Sequence, residues 1–377
     1  MRAKELTTEL VRFPSVSSTS NREVTSFVED ILTGWSFDCE RVEYVDNNGV
    51  TKSCLLGKRG SGSGGLAYFS HTDVVPAVIW KGPSGGTAFQ TTEADGKLYG
   101  RGSCDMKGSL ACWLTAVEQK LTSTWKQPVY VVCTSDEEVG YVGATHVVAK
   151  SQIYQEMVQR QVVGIIGEPT TLEVVHAHKG IHCFKAISHG IAAHSSSAEG
   201  LSANLAMIPF LSEMKAIHDE TSSNPRWQND KFDPPIVSWN IVFHDEKTAS
   251  NVKPSRSICQ VLFRPMPGQS PGELMERAKA AAQRYGIEFQ VRSEFPPLWV
   301  EPDAPHIQTM LKLCGKQKSQ TVCYGTDGAA FADLKKLVVC GPGNIAQAHT
   351  VDEWISLEQL KLGTEVYGKM IDEFCLS

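Results

Sequence analysis

The sequence predicts an α/β fold in which a mixed sheet, flanked by helices, is interrupted by an inserted βαββαβ module. Two observations lead to this fold class. The first half of the chain alternates short apolar strand-like segments with helical ones. From about residue 180 the segments follow the order of the ferredoxin-like unit, and after about residue 294 the earlier alternation resumes. We therefore expect one domain formed by residues 1–179 and 294–377, and an insertion formed by residues 180–293.

The elements of the first half are predicted from local patterns. Helices are expected near residues 3–12 and 20–33, and a capping box of Ser20 and Glu23 opens the second. The segment 128–133 is apolar throughout, as in the interior strands of parallel sheets. Further elements are expected as strands at 66–70 and 162–167 and as helices at 107–121 and 140–150.

The inserted module and the end of the chain complete the prediction. The module is expected to contain strands at 180–189, 236–244, 257–264 and 287–294 and helices at 201–217 and 271–285. The remaining elements are expected as helices at 304–314, 327–335 and 356–373 and strands near 321–324 and at 337–341.

Composition excludes several classes of protein. The 377 residues are 41% apolar and 21% charged with a net charge of −6, which is typical of a soluble globular protein and predicts no nucleic-acid partner. No apolar run approaches the roughly 18 residues of a membrane span. The N-terminal residues lack the apolar core of a signal peptide, and the scattered cysteines contain no CxxC pair, so we expect a cytoplasmic protein with reduced thiols.

Acidic and imidazole residues recur at the predicted strand ends, at intervals of about 30 residues, which is the length of a strand–helix–strand unit. His71, Asp105, Glu138 and Glu168 follow this spacing, and His349 comes late in the chain. Because the carboxyl ends of parallel strands meet in one crevice, we expect these side chains to converge there. Each residue alone would be incidental, but together they predict a metal site.

Two imidazoles and three carboxylates suit a pair of divalent ions. If one carboxylate bridges, each ion receives one histidine, one further carboxylate and a share of the bridge, which leaves a position for water as in catalytic zinc sites. Asp73 can accept a hydrogen bond from the second nitrogen of His71. Of the adjacent acids, Glu138 can then bind metal while Glu137 acts as the proton-shuttling base.

The sequence around these residues supplies longer motifs, namely Ser70–Pro76, Leu98–Gly108, Thr134–Gly140, Gly167–Thr170 and Gly341–Glu353. These motifs, in this order, closely resemble those of the dinuclear zinc amidohydrolases that include acetylornithine deacetylase, succinyl-diaminopimelate desuccinylase, aminoacylase and glutamate carboxypeptidase. The resemblance covers residues 66 to 355 and implies a zinc-peptidase-like sheet with the insertion as a lid and dimerisation domain.

The resemblance assigns roles to the converging residues. It implies one zinc ion on His71, Asp105 and Glu168 and a second on Asp105, Glu138 and His349, with cobalt as an alternative metal. Asp105 would be the bridge, followed by a cis peptide bond to Met106, and Glu137 would be the general base.

Further residues are implied on the substrate side. His194 matches a lid-domain histidine that reaches the active site of the partner subunit in a homodimer and stabilises the oxyanion. Asn251, Arg264 and Thr326 match substrate-contacting positions, and the arginine would hold a carboxylate as a bidentate fork. Leu262 stands where the family often has an aspartate, so Arg264 is expected to be held differently here.

The ligand pattern together with the resemblance predicts a two-zinc hydrolase, and the resemblance implies that it cleaves the amide of a small N-acyl amino acid, such as N-acetylornithine. A succinyl-diaminopimelate desuccinylase or a metallo-exopeptidase acting on short peptides is the alternative within the same chemistry. A non-catalytic metal-binding homologue would not need Glu137. A serine or cysteine hydrolase is disfavoured because the sequence has no Gly-x-Ser-x-Gly elbow.

Overall fold

The computed structural model describes residues 1–83 and 86–377. The first elements are α1 (Arg2–Val11), α2 (Arg22–Gly34), β1 (Asp38–Val45), β2 (Thr51–Arg59), β3 (Leu66–His71), β4 (Thr92–Ala94), β5 (Lys97–Tyr99), α3 (Lys107–Glu118), β6 (Val129–Thr134), α4 (Val142–Lys150), α5 (Gln152–Arg160), β7 (Val163–Ile166) and β8 (Val175–His178). The middle elements are β9 (Ile181–His189), β10 (Ala193–His194), α6 (Ala203–Ser223), β11 (Ser238–His244), β12 (Val252–Lys253), β13 (Arg256–Arg264), α7 (Pro271–Arg284), β14 (Glu288–Phe295) and β15 (Leu298–Trp299). The last are α8 (Pro305–Cys314), β16 (Gln320–Val322), β17 (Leu337–Val339), β18 (Trp354–Ser356) and α9 (Leu357–Ile371).

The chain divides into two compact units. The first unit contains Met1–Ala177, Val300–Gln320 and Thr326–Ser377, and the second contains His178–Trp299 and Thr321–Gly325. Across residues 1–83 and 86–377, no helix has the length and hydropathy needed to cross a bilayer.

The first unit is built on a mixed sheet in the order β1-β2-β6-β3-β7-β17-β8. Strands β6, β3, β7 and β17 run parallel to one another, whereas β1–β2, β2–β6 and β17–β8 pair antiparallel. Every residue of β3, β6 and β7 is buried, as expected for central strands covered on both faces. Helices flank the sheet, which confirms the predicted α/β fold class. The parallel strands β3, β6 and β7 end at one edge of the sheet.

Helix α3 is buried on all sides, since residues Lys107–Val117 are inaccessible and the helix contacts both α1 and α9. Tyr68 of β3 stacks on Trp113 with ring centroids 4.8 Å apart. The Tyr68 hydroxyl donates to Ser109 Oγ at 2.8 Å. At Gly108 a Cβ would lie 2.2 Å from the Ser103 carbonyl oxygen, so the entrance of α3 requires glycine. This packing fixes the start of α3 and the loop before it.

The second unit contains a four-stranded antiparallel sheet in the order β11-β13-β9-β14. Its strands and helices follow one another as β-α-β-β-α-β, and α6 and α7 contact each other and the sheet. This is the order of the ferredoxin-like unit. Strand β11 lies at one edge of the sheet, where its backbone pairs on one side with β13. The short strands β10 and β12 pair separately.

Two predicted local features are wrong. The helix expected at 327–335 is reduced to a 3₁₀ turn at Asp327–Ala329, because the Thr326 hydroxyl accepts the Gly328 N–H at 3.1 Å and closes a short turn. The capping box at Ser20 is absent, because its hydroxyl instead donates to the Thr51 carbonyl at 2.7 Å.

The antiparallel hairpin of β1 and β2 was not predicted, and it supplies a buried ion pair. Lys52 Nζ lies 2.8 Å from Asp136 Oδ1, with side-chain exposures of 1% and 4%. The same ammonium donates to the carbonyl oxygens of Ser17 and Thr19. The Tyr44 hydroxyl donates to the second oxygen of Asp136 at 2.7 Å.

Replacement of Lys52 by Met should therefore destabilise the protein strongly. It leaves the Asp136 carboxylate buried without its cation, which costs about 3–5 kcal/mol. The matched control is Lys58→Met on the same strand, whose pair with Glu156 is part-exposed and should contribute at most about 1 kcal/mol. Urea denaturation followed by circular dichroism measures both free energies of unfolding, and equal effects would contradict the assignment.

Candidate metal centre

One group of converging side chains consists of His71, Asp105 and Glu168, all of them buried. His71 ends β3, Asp105 precedes α3, and Glu168 follows β7. His71 Nε2 lies 3.0 Å from Asp105 Oδ1 and 3.7 Å from Glu168 Oε1. One ligand atom from each residue lies within 4.8 Å of the others, so the group could hold a metal ion.

A second group consists of Asp105, Glu138 and His349, with ligand atoms within the same 4.8 Å. His349 Nε2 lies 2.9 Å from Glu138 Oε2 and 3.4 Å from Asp105 Oδ2. Asp105 belongs to both groups, and it presents a different oxygen to each histidine. The structure thus brings together all five residues that the sequence suggested as ligands. The peptide bond between Asp105 and Met106 is cis.

Asp73 contacts both His71 and the acidic pair that follows β6. His71 Nδ1 lies 2.9 Å from the Asp73 carbonyl oxygen, whereas the nearer carboxylate oxygen is 3.8 Å away. The backbone carbonyl is therefore the partner that fixes the imidazole and turns Nε2 towards the group. The Asp73 carboxylate instead accepts the backbone N–H groups of Glu137 at 3.2 Å and Glu138 at 3.4 Å, and the Ser17 hydroxyl at 2.7 Å.

The charged groups of the cluster shift one another's pKa values. Burial raises the pKa of Glu168, and the charge of Asp105 raises it further. Burial also raises the pKa of Glu137. Hydrogen bonds to Asp105 and Glu138 raise the pKa of His349 to about 10. Without a bound metal ion, the positive charge of protonated His349 thus offsets part of the negative charge of the neighbouring carboxylates.

The donor set fits a divalent cation. Imidazole nitrogens and carboxylate oxygens are the ligands of catalytic zinc. Burial opposes ionisation of Asp105, yet contacts with His349 and His71 outweigh it and hold the pKa of this carboxyl below its ordinary value. A metal ion would supply the same positive charge without a proton.

Sequence reasoning missed two buried acids next to the cluster. Glu353 is fully buried and accepts the backbone N–H of Asp105 at 3.0 Å. Asp327 accepts the hydroxyl of Thr134, and burial raises the pKa of its carboxyl to about 7. Among the described residues its Oδ1 has no hydrogen-bond partner. Glu353 ends one of the motifs noted in the sequence and Asp327 follows Thr326, but the partners that define their environment are distant in the chain.

The remaining predicted site residues have separate surroundings. Thr326 is buried in the first unit, where its hydroxyl caps the turn at residue 328. His194 lies exposed on β10 in the second unit, with Nδ1 2.7 Å from the Ser196 hydroxyl. The carbonyl of Asn251 accepts the Ser195 N–H at 2.9 Å, next to the β10–β12 pair. Their roles in substrate binding stay predictions.

Arg264 ends β13 in the second unit and is half-buried. Within residues 1–83 and 86–377 its Nη1 is buried and makes no hydrogen bond. A buried guanidinium nitrogen without an acceptor is costly, and a carboxylate ligand would satisfy it. This arrangement is compatible with the predicted role of Arg264, which stays a prediction.

Comparison with known proteins identifies the family. Residues 67–373 match the model of peptidase family M20/M25/M40. Acetylornithine deacetylase of Proteus mirabilis (strain HI4320) is 32% identical over 389 residues, covering 99% of this chain and 97% of the relative. Acetylornithine deacetylase of Myxococcus xanthus is 32% identical over 381 residues, covering 98% and 96%. An M20 family metallo-carboxypeptidase from Sulfolobus solfataricus has a similar fold, with a TM-score of 0.75, 15% identity and 99% of both chains covered. The chain therefore belongs to peptidase family M20/M25/M40 and is a metal-dependent amidohydrolase or peptidase.

Proposed function

We propose that this enzyme hydrolyses the amide bond of an N-acyl amino acid, with N-acetylornithine as the representative substrate, at a centre of two divalent ions. Zinc is the proposed metal, and cobalt is the alternative. The observation that carries the proposal is the position of Asp105, whose two oxygens face His71 and His349 separately. Full-length similarity to proteins named acetylornithine deacetylase supports the choice of substrate.

The reaction adds water across the amide and yields a carboxylate and a free amine. When bound, two divalent ions supply polarisation of the scissile carbonyl and lower the pKa of the attacking water. In this proposal Glu137 accepts a proton from that water and passes it to the nitrogen of the leaving amine. Burial raises the pKa of the Glu137 carboxyl, which suits a group that must both take and return a proton.

The geometry of the acidic pair supports the proposed roles of Glu137 as the base and Glu138 as a metal ligand. Glu138 Oε2 lies 2.9 Å from His349, so its side chain belongs to the second ligand group. Glu137 is buried and, among the described residues, belongs to neither group. The Asp73 carboxylate accepts the backbone N–H groups of Glu137 and Glu138. These hydrogen bonds fix the backbone and therefore the direction in which each glutamate side chain points.

On the substrate side, Arg264 is proposed to bind the carboxylate of the amino acid, because its guanidinium retains an unsatisfied buried nitrogen among the described residues. Asn251 and Thr326 are proposed to contact the substrate as well. His194 is proposed to donate a hydrogen bond to the oxyanion.

The substrate class is tested directly by turnover. N-acetylornithine, N-succinyl-diaminopimelate, hydrophobic N-acetyl amino acids and dipeptides are assayed by release of free amine, with and without a chelator. We expect N-acetylornithine to be cleaved with the highest kcat/KM and the chelator to abolish activity. Higher kcat/KM for the succinylated compound or for dipeptides would replace the proposed substrate. Activity that survives complete removal of metal would contradict the proposed mechanism.

Replacement of Glu137 by Gln should retain bound metal while turnover falls about 10²–10⁴-fold, because an amide cannot accept the proton of the attacking water. The control is Glu138→Gln, which should weaken metal binding because it removes a charged ligand of the second group. Metal content by atomic emission is measured beside kcat. Metal loss in the first variant with normal content in the second would reverse the two assignments.

We also propose that the active enzyme is a homodimer joined through the inserted module. The edge strand β11 leaves backbone groups open to pairing with a second chain. Phe243 on this strand is 62% exposed, and Leu205 and Ile208 on α6 are 68% and 52% exposed. Exposed apolar residues of this size support burial against a second copy, and a two-fold axis would present the same surface on both subunits.

If His194 completes the site of the partner subunit, His194→Ala should keep its fold and metal while losing about 10²–10³-fold in turnover. The matched control is His189→Ala, since His189 is an exposed histidine of the same unit that pairs with Glu288. Mixing His194→Ala with Glu137→Gln under conditions of subunit exchange should restore part of the activity, because some heterodimers contain one intact site. An inactive mixture despite demonstrated exchange, or a fully active monomer in sedimentation, would refute the shared site.

A further inference from the structure

Glu353 is fully buried, and among the described residues the hydrogen bonds of its carboxylate all come from the loop before α3. Its Oε2 accepts from Arg101 Nη1 at 2.6 Å and from the Gly102 N–H at 2.9 Å. Its Oε1 accepts from the backbone N–H groups of Cys104 at 2.8 Å and Asp105 at 3.0 Å. A carboxylate that accepts charge-assisted and backbone hydrogen bonds on both oxygens is held in a single orientation.

Arg101 extends this contact to the loop that carries His349. While Nη1 binds Glu353, Nη2 donates to the Thr350 carbonyl oxygen at 2.8 Å. The Gly100 N–H donates to the Glu353 carbonyl oxygen at 3.0 Å, beside the pairing of β5 with β18. The ion pair is therefore a clamp between the loop of residues 100–105 and the loop of residues 349–353.

The two ligand groups depend on this clamp to different degrees. The side chain of His349 is 54% exposed, whereas that of His71 is 1% exposed and that of Glu168 is 7% exposed. His71 and Glu168 stand at the ends of buried central strands, and the Asp73 carbonyl holds the His71 ring. His349 lies on an exposed turn with a positive φ of 64°. Apart from the contacts of its ring with Glu138 and Asp105, the position of His349 depends on the backbone of its own loop.

We propose that Glu353 and Arg101 are positioning residues that hold His349 at the separation from Asp105 required by the second divalent ion. This inference rests on the proposed two-metal function. Loss of the clamp should selectively weaken binding of the ion held by Asp105, Glu138 and His349. If Glu353 had a purely structural role, its replacement would change the stability of the protein without affecting the binding of one ion more than the other.

The test measures metal occupancy and not only activity. Full-length protein loaded with zinc is dialysed against buffers of fixed free zinc concentration, and the bound zinc per chain is counted by atomic emission. In Glu353→Gln, one of the two ions should dissociate at about 10–100-fold higher free zinc than in the wild-type protein, the usual effect of losing a residue that orients a ligand. The other ion should keep its wild-type binding curve. His349→Ala provides the reference for loss of the second ion.

The control is Asp352→Asn, which removes the neighbouring acid and should leave both curves unchanged. The inference would be overturned if Glu353→Gln bound zinc as the wild-type protein does, or if it bound both ions more weakly to the same degree. It would also be overturned if Asp352→Asn showed the same shift. A wild-type protein that binds fewer than two ions would overturn the proposed function as well, and this result is visible before any variant is made.

A second variant covers the case in which Glu353→Gln does not fold. Arg101→Lys keeps the positive charge, and Glu353 keeps its hydrogen bonds to the backbone N–H groups. Lysine lacks the guanidinium that binds Glu353 and the Thr350 carbonyl oxygen at the same time. This variant should weaken binding of the same ion while its circular dichroism spectrum matches that of the wild-type protein. Unaltered zinc binding in a folded Arg101→Lys protein would overturn the inference by itself.

Discussion

The arrangement of the site depends on one carboxylate, Asp105, which lies between two histidines and presents one oxygen to each. Its position is fixed from both sides of the chain. The residues after Asp105 form α3, which is buried against the sheet and neighbouring helices. The residues before it form a loop whose backbone N–H groups donate to Glu353. Because Asp105 belongs to both ligand groups, a displacement of α3 and its first turn would change both groups at once, whereas loss of the contact between Glu353 and Arg101 should displace mainly the exposed loop of His349. The rigid core around α3 is therefore a requirement of the site.

The concentration of buried acids is the main energetic cost of this arrangement. Burial and mutual repulsion raise the pKa values of Glu137 and Glu168, and repulsive carboxylates are tolerated only when cations or donors compensate them. The fold supplies donors through backbone N–H groups and through the contacts of His71 and His349. Asp136 adopts a positive φ of 56°, a backbone conformation that non-glycine residues rarely take, and its ion pair with Lys52 stabilises that turn. A divalent cation would compensate the remaining charge.

The sequence predicted the α/β fold class, and the structure brings the five suggested ligand residues together, because both follow from patterns that stand in the chain itself. The strands that lead to His71 and Glu168 are apolar and parallel, so their ends meet at one edge of the sheet. Features that depend on distant backbone groups could not be predicted. Ser20 bonds to the Thr51 carbonyl instead of capping a helix, and Glu353 binds backbone N–H groups that have no sequence signature. The carboxylate of Asp73 likewise holds two backbone N–H groups, while its carbonyl orients the histidine.

The candidate ligand groups and the arginine proposed to bind the substrate carboxylate belong to different units. Both candidate ligand groups, with Glu137, lie in the first unit, where strand ends and backbone hydrogen bonds fix them. Arg264 and His194 lie in the second unit. If Arg264 binds the substrate carboxylate as proposed, substitutions near it in the second unit can change which amino acid is accepted without disturbing Asp105 and its neighbours. Such a division would allow one fold to act on different substrates. Hydrolysis of an amide requires the same charges in each case, whereas selection of the substrate requires only that different side chains surround it.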